Sequence, residues 1–304
     1  MTQEKEQRKH KISIIIPVRN EERLIVSCLL SVAEQKIKDK ALNYEIEIIC
    51  IDNNSSDETK KSILSCAEKF KNINYYFESK IGRGSARNAG IEKAKGDIIA
   101  MIDADCLAPS DWLEKLVGPI ITGEAEATMG FESDAINNYW SRIRQEEDWT
   151  YIQKKISGPY IEHLDTKNFA IKAEILKKIK FDSLLNSYED WDLFINLKKN
   201  GVKILFLSKL KVKHYHDSSL KKLIKTQFSR GKSAALIHKK WQKDREFREL
   251  FKNDPSAASV NWRNFIFFLP WALWQIILSP RKSLFIISAD AAWKAGIIAS
   301  KFKR

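Results

Sequence analysis

The amino-acid sequence predicts an α/β fold built on a mostly parallel, doubly wound sheet, and two observations support this. Up to about residue 121, short apolar runs typical of strands alternate with amphipathic segments typical of helices. Such alternation indicates parallel strands joined by helices. Polar clusters at 17–22, 52–57 and 103–105 follow three of the apolar runs. Because sheets of this kind bind ligands at the carboxyl ends of their strands, these clusters are candidates for one site.

Four strand and helix pairs account for the first part of the chain. Their apolar runs are rich in isoleucine, which suits strands that are buried on both faces. The segments between them place apolar residues three and four positions apart, which is typical of amphipathic helices. The predicted strands are residues 12–16, 45–51, 73–77 and 98–102, and the predicted helices are 21–34, 57–70, 85–95 and 111–121.

The second part of the chain, from residue 122, has a looser pattern. It predicts helices at 139–155 and 190–199 and short strands at 169–171, 202–207 and 210–215. We expect this part to be a mixed α/β extension that completes the site, so that residues 11–217 form one domain. The rest of the chain predicts a helical C-terminal region over residues 218–304. It contains a basic amphipathic helix at 220–240, a polar link at 253–259, and apolar stretches at 265–278 and 284–300.

The net charge of +13 lies entirely in that C-terminal region. Residues 1–217 contain 34 basic and 34 acidic side chains, whereas residues 218–304 contain 18 basic and 5 acidic ones. Five of the nine tryptophans lie in the same region. A basic and aromatic segment predicts contact with an anionic membrane surface or with nucleic acid. The long apolar runs favour lipid, so we expect no nucleic-acid partner.

The two apolar stretches are poor candidates for membrane-spanning helices. The stretch at 265–278 has 14 residues and contains Pro270, whereas a span needs about 20 residues. The stretch at 284–300 contains Asp290 and Lys294. We expect both to lie in the membrane interface or form a shallow hairpin there. The alternative is a helical hairpin packed on the rest of the protein.

The cysteines and the N-terminal segment predict a cytoplasmic protein. Cys28, Cys50, Cys66 and Cys106 form no CxxC pair or Cys/His cluster, which favours reduced and mostly buried thiols. The first eleven residues are polar and charged and contain no apolar signal-peptide core. Together with the basic tail, this predicts a peripheral or monotopic protein at the inner face of the cell membrane.

Asp103 and Asp105 are the most informative residues of the chain. They follow the apolar strand at 98–102, and strand alternation would direct both side chains to the same face. Two carboxylates at the end of a buried strand repel each other unless a cation, typically a hard divalent ion, offsets their charge. A pair of solvated loop carboxylates is the alternative for this tripeptide alone.

Five motifs occur in order along the chain: IIIPVRNEE at 14–22, IDNNSSD at 51–57, GRGSARNAG at 82–90, DAD at 103–105 and SYEDWDL at 187–193. The glycine-rich loop among them lacks the third glycine of a dinucleotide-binding fingerprint and the Gly-Lys-Ser/Thr of a P-loop. Together the motifs resemble the inverting nucleotide-sugar glycosyltransferases of family 2, which have the GT-A fold. The resemblance covers roughly residues 11–217.

The resemblance implies a nucleotide-sugar donor, a divalent cation (Mn or Mg) and a role for each matched residue. Asp190 would be the general base that deprotonates the acceptor hydroxyl, with Glu189 beside it. Asn53 stands where many members carry aspartate, so the base of the nucleotide stays open. The implied donor-binding residues are Pro17, Arg19, Glu21, Asp52, Asn53, Arg83, Arg87 and Asp103, the metal ligands Asp105, Asp103 and His214, and the acceptor-binding residues Asn168 and Trp191.

The membrane-directed tail implies a glycan or lipid-linked acceptor for such an enzyme. His216 shares a strand face with His214 and is a weaker candidate for the metal or diphosphate. Three other classes remain open. They are a nucleotidyltransferase with a related sheet, which would release pyrophosphate, a basic nucleic-acid-binding protein, and a homologue that binds the donor without turnover.

Overall fold

The computed structural model describes residues 9–36, 39, 42–136, 138–185, 187–215, 219–251 and 268–301. Its centre is a ten-stranded mixed sheet with the order β3-β2-β1-β4-β9-β6-β10-β8-β7, and with β5 beside β10. The strands are β1 His10–Val18, β2 Tyr44–Asp52, β3 Ile73–Phe77, β4 Ile98–Met101, β5 Cys106–Leu107, β6 Ala127–Asp134, β7 Ile156–Ser157, β8 Tyr160–Ile161, β9 Phe169–Lys172 and β10 Ile204–His214.

The helices flank this sheet and, near the C-terminus, pack on each other. The first four confirm the predicted alternation with β1 to β4, and these four strands pair in parallel. The helices are α1 Ile25–Ala33, α2 Thr59–Lys69, α3 Arg83–Lys93, α4 Trp112–Ile121, α5 Tyr139–Gln153, α6 Ala173–Ile179, α7 Glu189–Lys199, α8 Leu220–Trp241, α9 Arg245–Phe251, α10 Phe268–Leu278 and α11 Pro280–Lys301.

The central strands form the core because both faces of the sheet are covered. In β1, Ile14 and Ile16 belong to the apolar cluster packed by α1, α2 and α4, whereas Ile15 belongs to the cluster packed by α3, α6 and α7. All three side chains are fully buried. This explains why the strand is a continuous isoleucine run rather than an alternation of apolar and polar residues.

Two predictions about strands were wrong. The strand β6 was not predicted, because the sequence ATMGFESD contains a glycine and four polar side chains and lacks a clear period of two. The predicted strands at 202–207 and 210–215 are one strand, β10, whose register against β6 shifts between Phe206 and Lys211. Ser208 and Lys209 interrupt the apolar pattern inside that irregularity without ending the strand.

The C-terminal helices pack on the rest of the molecule and on each other. Helices α8 and α11 cross in direct backbone contact: a methyl group on Gly231 would overlap the Trp293 carbonyl, and one on Gly296 would overlap the Phe228 carbonyl. At its start, α11 contacts α5, where Lys282 pairs with Glu146 and Glu147 at 3.0 Å each.

Among the described helices, α11 has the length and apolar composition of a membrane-crossing helix over residues Pro280–Ser300, with 28% of its most apolar window buried. A core helix of a soluble protein can have the same length and apolar composition. The predicted link at 253–259 and the first residues of the stretch at 265–278 lie outside the described residues.

Candidate active site

The predicted site residues converge at one edge of the sheet. The strands β1, β2, β4, β6 and β10 share one direction, so their carboxyl ends meet there, and the antiparallel strand β9 begins at the same edge. This is the edge at which open α/β sheets bind ligands. The sequence places chemically active side chains at or just after the carboxyl ends of β1, β2, β4 and β10, and the topology brings them together.

Asp103 and Asp105 lie in a turn rather than on a strand. The strand β4 ends at Met101, one residue earlier than predicted, and the Cys106 amide donates to the Asp103 carbonyl at 3.0 Å. The Tyr215 amide donates to the Asp105 carbonyl at 2.9 Å. Both side chains remain about one quarter exposed. Backbone hydrogen bonds therefore fix this pair beside the end of β10.

His214 lies directly against Asp105, because β5 pairs with β10 and matches Cys106 to His214. The Nε2 atom of His214 is 3.1 Å from the Asp105 carboxylate, and its Nδ1 atom is 2.5 Å from Glu132. Burial alone would lower the pKa of His214, but the hydrogen bonds with Asp105 and Glu132 outweigh it and raise the pKa to about 9.

Glu132 is a site residue that sequence reasoning missed. It lies on β6, is 6% exposed and also receives an ion pair from Lys167 at 3.1 Å. Lys167 contacts Asp165 at 2.6 Å as well. Sequence patterning offered no signal for Glu132, because the strand that carries it was not predicted. In the structure its charge is buried, which is rare unless the charge is paired.

The ligand atoms of Asp105, Cys106 and His214 lie within 4.8 Å of one another. Burial raises the pKa of the Cys106 thiol well above its ordinary value, so the thiol stays protonated and is a poor ligand. A carboxylate oxygen remains, of the kind that suits Mn or Mg, and an imidazole nitrogen joins it once a cation displaces the proton that the raised pKa of His214 retains. His216 lies outside the described residues.

Glu21 adds negative charge to this edge. Burial, together with the carboxylates of Asp105, Asp57 and Asp103, raises its pKa to about 7 against an opposing effect of Lys222. So many acidic groups in mutual range are stabilised by a bound cation. The structure thus places Glu21 within electrostatic range of the candidate metal site, in the turn between β1 and α1.

Asp52 and Asn53 shape the loop after β2. Asp52 is 2% exposed and accepts hydrogen bonds from Tyr75 Oη and the Ser55 amide, both at 2.9 Å. Asn53 donates to the carbonyls of Glu78 and Lys80 and accepts from the Gly82 amide at 2.8 Å. The Asn53 amide therefore holds the neighbouring loop, and its contact with the donor stays a prediction.

The remaining predicted donor residues lie around this edge with different exposure. Arg19 and Arg83 are exposed, the first just after β1 and the second at the start of α3. Pro17 is half-buried within β1. For these three residues, donor binding stays a prediction.

Arg87 occupies the centre of the site. Its Nη1 atom is 2.7 Å from Glu189 and 3.4 Å from Asp190, and its Nη2 atom is 3.1 Å from Asp103. The side chain is 3% exposed. The sequence predicted a guanidinium available to a phosphate, but the structure places it in ion pairs with three carboxylates. Arg87 thus joins the Asp103 turn to the acidic pair.

The Asp190 carboxylate is partly exposed to solvent and partly surrounded by protein groups. Its side chain is 24% exposed, and Thr166 Oγ1 donates to it at 3.1 Å. Burial raises its pKa to about 7; Arg87 opposes the shift, and Glu189 adds to it. Glu189 itself is 2% exposed. A partly exposed carboxylate with a pKa near neutrality can accept a proton from a bound hydroxyl.

Asn168 was predicted to bind the acceptor, which stays a prediction, and the structure shows its side chain bonded within the protein. The residue is 2% exposed; its Oδ1 accepts from Trp112 Nε1 at 2.9 Å, and its Nδ2 donates to the carbonyls of Phe131 and Leu210. A methyl group on Gly130 would overlap the Asn168 amide, so the glycine permits this close packing. Asn168 joins α4, β6 and β10 and has a structural role.

Trp191, the other predicted acceptor residue, lies in an aromatic cluster beside Asp190. Its ring centroid is 5.4 Å from His163 and 6.2 Å from Tyr151, and the Lys155 ammonium lies 5.5 Å from the ring. The side chain is half-buried. Such a surface offers aromatic faces and edges to a ligand.

The family model described as "Glycosyl transferase family 2" matches residues 13–180. The chain belongs to glycosyl transferase family 2. The match covers the four N-terminal motifs and Asn168 and ends before the acidic pair, so the assignment of Asp190 depends on the geometry. The fold is the GT-A fold expected from the resemblance.

Proteins similar to this chain include two archaeal glycosyltransferases, found by sequence, and a mannosyltransferase of known structure. The glycosyltransferase AglE of Haloferax volcanii is 28% identical over 169 residues, which is 55% of this chain and 54% of that protein. A Methanococcus voltae glucuronosyltransferase, named for a dolichyl N-acetylglucosaminyl phosphate substrate, is 29% identical over 75% of this chain and 74% of its own. A Pyrobaculum calidifontis mannosyltransferase solved with GDP-Man and Mn²⁺ superposes with a TM-score of 0.71 at 16% identity, over 98% of this chain and 88% of its own.

Proposed function

We propose that the protein transfers a sugar from a nucleotide-diphosphate sugar to an acceptor hydroxyl by a single displacement with inversion. Asp190 acts as the general base, and the Asp103 turn with His214 faces the diphosphate. Inversion needs no enzyme nucleophile, and no covalent intermediate forms. In this proposal residues 11–217 are the catalytic domain and residues 218–304 a helical region that directs it to the membrane.

The observation that carries the proposal is the contact of Arg87 with both acidic pairs. One guanidinium reaches Asp103 at 3.1 Å and Asp190 at 3.4 Å. The diphosphate end of the donor and the attacking hydroxyl must lie on opposite sides of the anomeric carbon, within a few ångströms of it. The two Arg87 contacts bring the candidate base, Asp190, and the Asp103 turn close enough together for such an arrangement.

The chain's own residues supply binding, orientation and proton transfer. Asp190 takes the acceptor proton as the hydroxyl attacks, and Thr166 and Arg87 hold its carboxylate in place. The half-buried ring of Trp191 borders the acceptor side. Asp105 and His214 would hold the divalent cation, which when bound stabilises the negative charge of the departing nucleoside diphosphate.

A panel of nucleotide sugars, each with Mn²⁺ or Mg²⁺, tests this proposal. We expect one donor to give metal-dependent release of its nucleoside diphosphate, and NMR of the product to show the inverted anomer. Release of pyrophosphate would indicate a nucleotidyltransferase instead. Donor binding without release, in the presence of a competent acceptor extract, would indicate an inactive homologue.

We further propose that the acceptor is lipid-linked or lies close to the membrane. The helices α10 and α11 expose large apolar side chains, and the basic excess of the C-terminal region matches an anionic surface. The name of the Methanococcus relative specifies a dolichyl-linked substrate. The most exposed apolar residues are Leu269, Leu273, Trp274, Ile277, Leu278 and Leu284.

Vesicle flotation tests the membrane proposal separately from catalysis. We expect the intact chain to float with vesicles that contain anionic lipid and to remain in solution with neutral vesicles at moderate salt, because the attraction is electrostatic. A variant with Leu273 and Ile277 replaced by serine should bind more weakly. Equal failure of the intact chain on both kinds of vesicle would overturn the proposal.

A further inference from the structure

The segment that presents the candidate base begins with a backbone conformation that most residues avoid. Tyr188 has φ 65° and ψ 14°, in the left-handed region, and directly precedes Glu189 and Asp190 at the start of α7. Its side chain does not cap the helix. A bulky residue keeps such a conformation only where its surroundings impose it.

The surroundings of Tyr188 come largely from the C-terminal helices. Trp293 Nε1, on α11, donates to Tyr188 Oη at 3.1 Å. Trp293 is 6% exposed and packs with Ala234 and Ile297, and the Tyr188 side chain packs against this cluster. The base segment is therefore held from a part of the chain that lies outside the matched family region.

The position of Trp293 is itself fixed by the crossing of α8 and α11. The Trp293 carbonyl lies against Gly231, where even a methyl group would overlap it. Helices in backbone contact cannot shift toward each other, and the packed side chains limit movement apart. The donor to Tyr188 thus belongs to a rigid pair of helices rather than to a free tail.

A second contact holds the same helix from α8. Trp241 Nε1 donates to Asp192 at 2.8 Å, and Lys240 Nζ lies 2.7 Å from the same carboxylate. Asp192 is 1% exposed. Both contacts meet the first turn of α7, one on each side of the Glu189–Asp190 pair.

We propose that Trp293 is a positioning residue for the transfer reaction, which acts through Tyr188 to hold the turn that presents Glu189 and Asp190. This inference rests on the proposed function. It assigns to the C-terminal helices a direct part in base placement, in addition to membrane contact. Loss of the Trp293 to Tyr188 hydrogen bond should loosen the turn while leaving the metal side, built on β4 and β10, in place.

Conservative variants test the inference. Trp293→Phe removes the donor and keeps a ring, and Tyr188→Phe removes the acceptor oxygen. We expect each to lower kcat about tenfold, because small displacements of a base are costly, with donor KM and Mn²⁺ affinity unchanged. The double variant should be no slower than either single one, since both remove the same bond. Trp140→Phe is the control, because Trp140 contacts Phe285 at the other end of α11.

Hydrogen exchange provides a measurement that needs no turnover. In Trp293→Phe and Tyr188→Phe, the amides of residues 187–193 should exchange faster than in the wild type, and those of 103–106 should not. The Trp140→Phe control should leave both segments unchanged. Exchange that is unchanged in the Trp293 and Tyr188 variants would overturn the inference.

The two proposals fail in different ways. If the wild type released no nucleoside diphosphate from any donor, the proposed function would be overturned. The exchange experiment would still show whether the hydrogen bond from Trp293 to Tyr188, which we call the helical brace, holds residues 187–193. An active wild type with unchanged kcat in Trp293→Phe, or with additive losses in the double variant, would overturn the positioning role of Trp293 alone.

Discussion

The two acidic pairs of the site are held in different ways. Asp103 and Asp105 lie in a turn whose carbonyls accept hydrogen bonds from the backbone amides of Cys106 and Tyr215. Glu189 and Asp190 follow a left-handed residue, and side chains from distant parts of the chain reach their segment: Arg87, Thr166, Trp241 and Trp293. Side chains reach both pairs, since Arg87 also contacts Asp103 and His214 contacts Asp105. The difference is that backbone hydrogen bonds also fix the turn on the metal side, whereas the base side depends mainly on side chains. Point substitutions remote from the chemistry should therefore disturb the base side more readily.

Replacing Asp105 by alanine should have the largest effect, because it removes the ligand itself rather than its support. We expect metal-dependent diphosphate release to fall on the order of 10⁴-fold, since a cation on the leaving group supplies several kcal/mol of stabilisation. The measurement is steady-state release with Mn²⁺. Asp97→Ala, at the opposite end of β4, is the matched control. Retention of full activity by Asp105→Ala would place the cation elsewhere.

Replacing Asp190 by asparagine removes the base and keeps the shape of the side chain. We expect kcat to fall about 10³-fold with donor affinity nearly unchanged, measured by release kinetics and by calorimetry. In the wild type, kcat should rise tenfold per pH unit below about pH 7 and level off above it, because the base must be deprotonated and its pKa is raised to about 7.

The Asp190→Asn variant should lose that pH dependence. Glu114→Gln, which changes another carboxylate in the first turn of a helix, is the control and should behave like the wild type. A fully active Asp190→Asn enzyme would remove this residue from the role of base.

Replacing Glu132 by glutamine tests whether the metal side also depends on a side-chain support. Glu132 fixes the Nδ1 side of His214, and partners of this kind typically change metal affinity by about 10- to 100-fold. We expect a loss of Mn²⁺ affinity in this range, measured by calorimetry without donor. Glu126→Gln, just before the other end of β6, should bind Mn²⁺ normally. Unchanged Mn²⁺ affinity in Glu132→Gln would mean that the metal ligands do not depend on Glu132 for their position.

Replacing Asn168 by alanine should have the smallest effect on catalysis and a large effect on folding. The indole N–H of Trp112 and two carbonyls would lose their partner, at about 1–3 kcal/mol for each buried polar group left unpaired. We expect a lower free energy of unfolding with unchanged kcat and acceptor KM in the folded protein. Asn200→Ala, at an exposed helix end, is the control. A higher acceptor KM with normal stability would support the predicted acceptor contact instead.

The sequence predicts the N-terminal half of this fold well because its physical signals are local. Continuous isoleucine runs mark β1 and β2, and helical spacing marks α1 to α4. The strand β6 escapes prediction because Gly130 and Glu132 serve distant partners, Asn168 and His214, rather than the strand pattern. The spacing of apolar residues within one segment contains no information about partners that are distant in the chain.

The site residues likewise divide into those with local sequence signals and those whose roles depend on distant partners. Asp103, Asp105 and Asp190 were predicted because their motifs are short and contiguous. Arg87 and Asn168 were assigned to ligands, since a free guanidinium or amide suits a ligand. Their actual partners lie up to 103 residues away in the chain, and only the folded structure shows that these side chains are already bonded.

Gly231 and Gly296 also limit how this sequence can diverge. Neither position can gain a side chain alone, because the helices would have to separate and Trp293 would leave Tyr188. We expect descendants of this chain that keep the helical brace to inherit the two glycines together with the two aromatic residues. The four positions would then act as a lineage marker, which separates braced members of the family from members whose base is supported in another way.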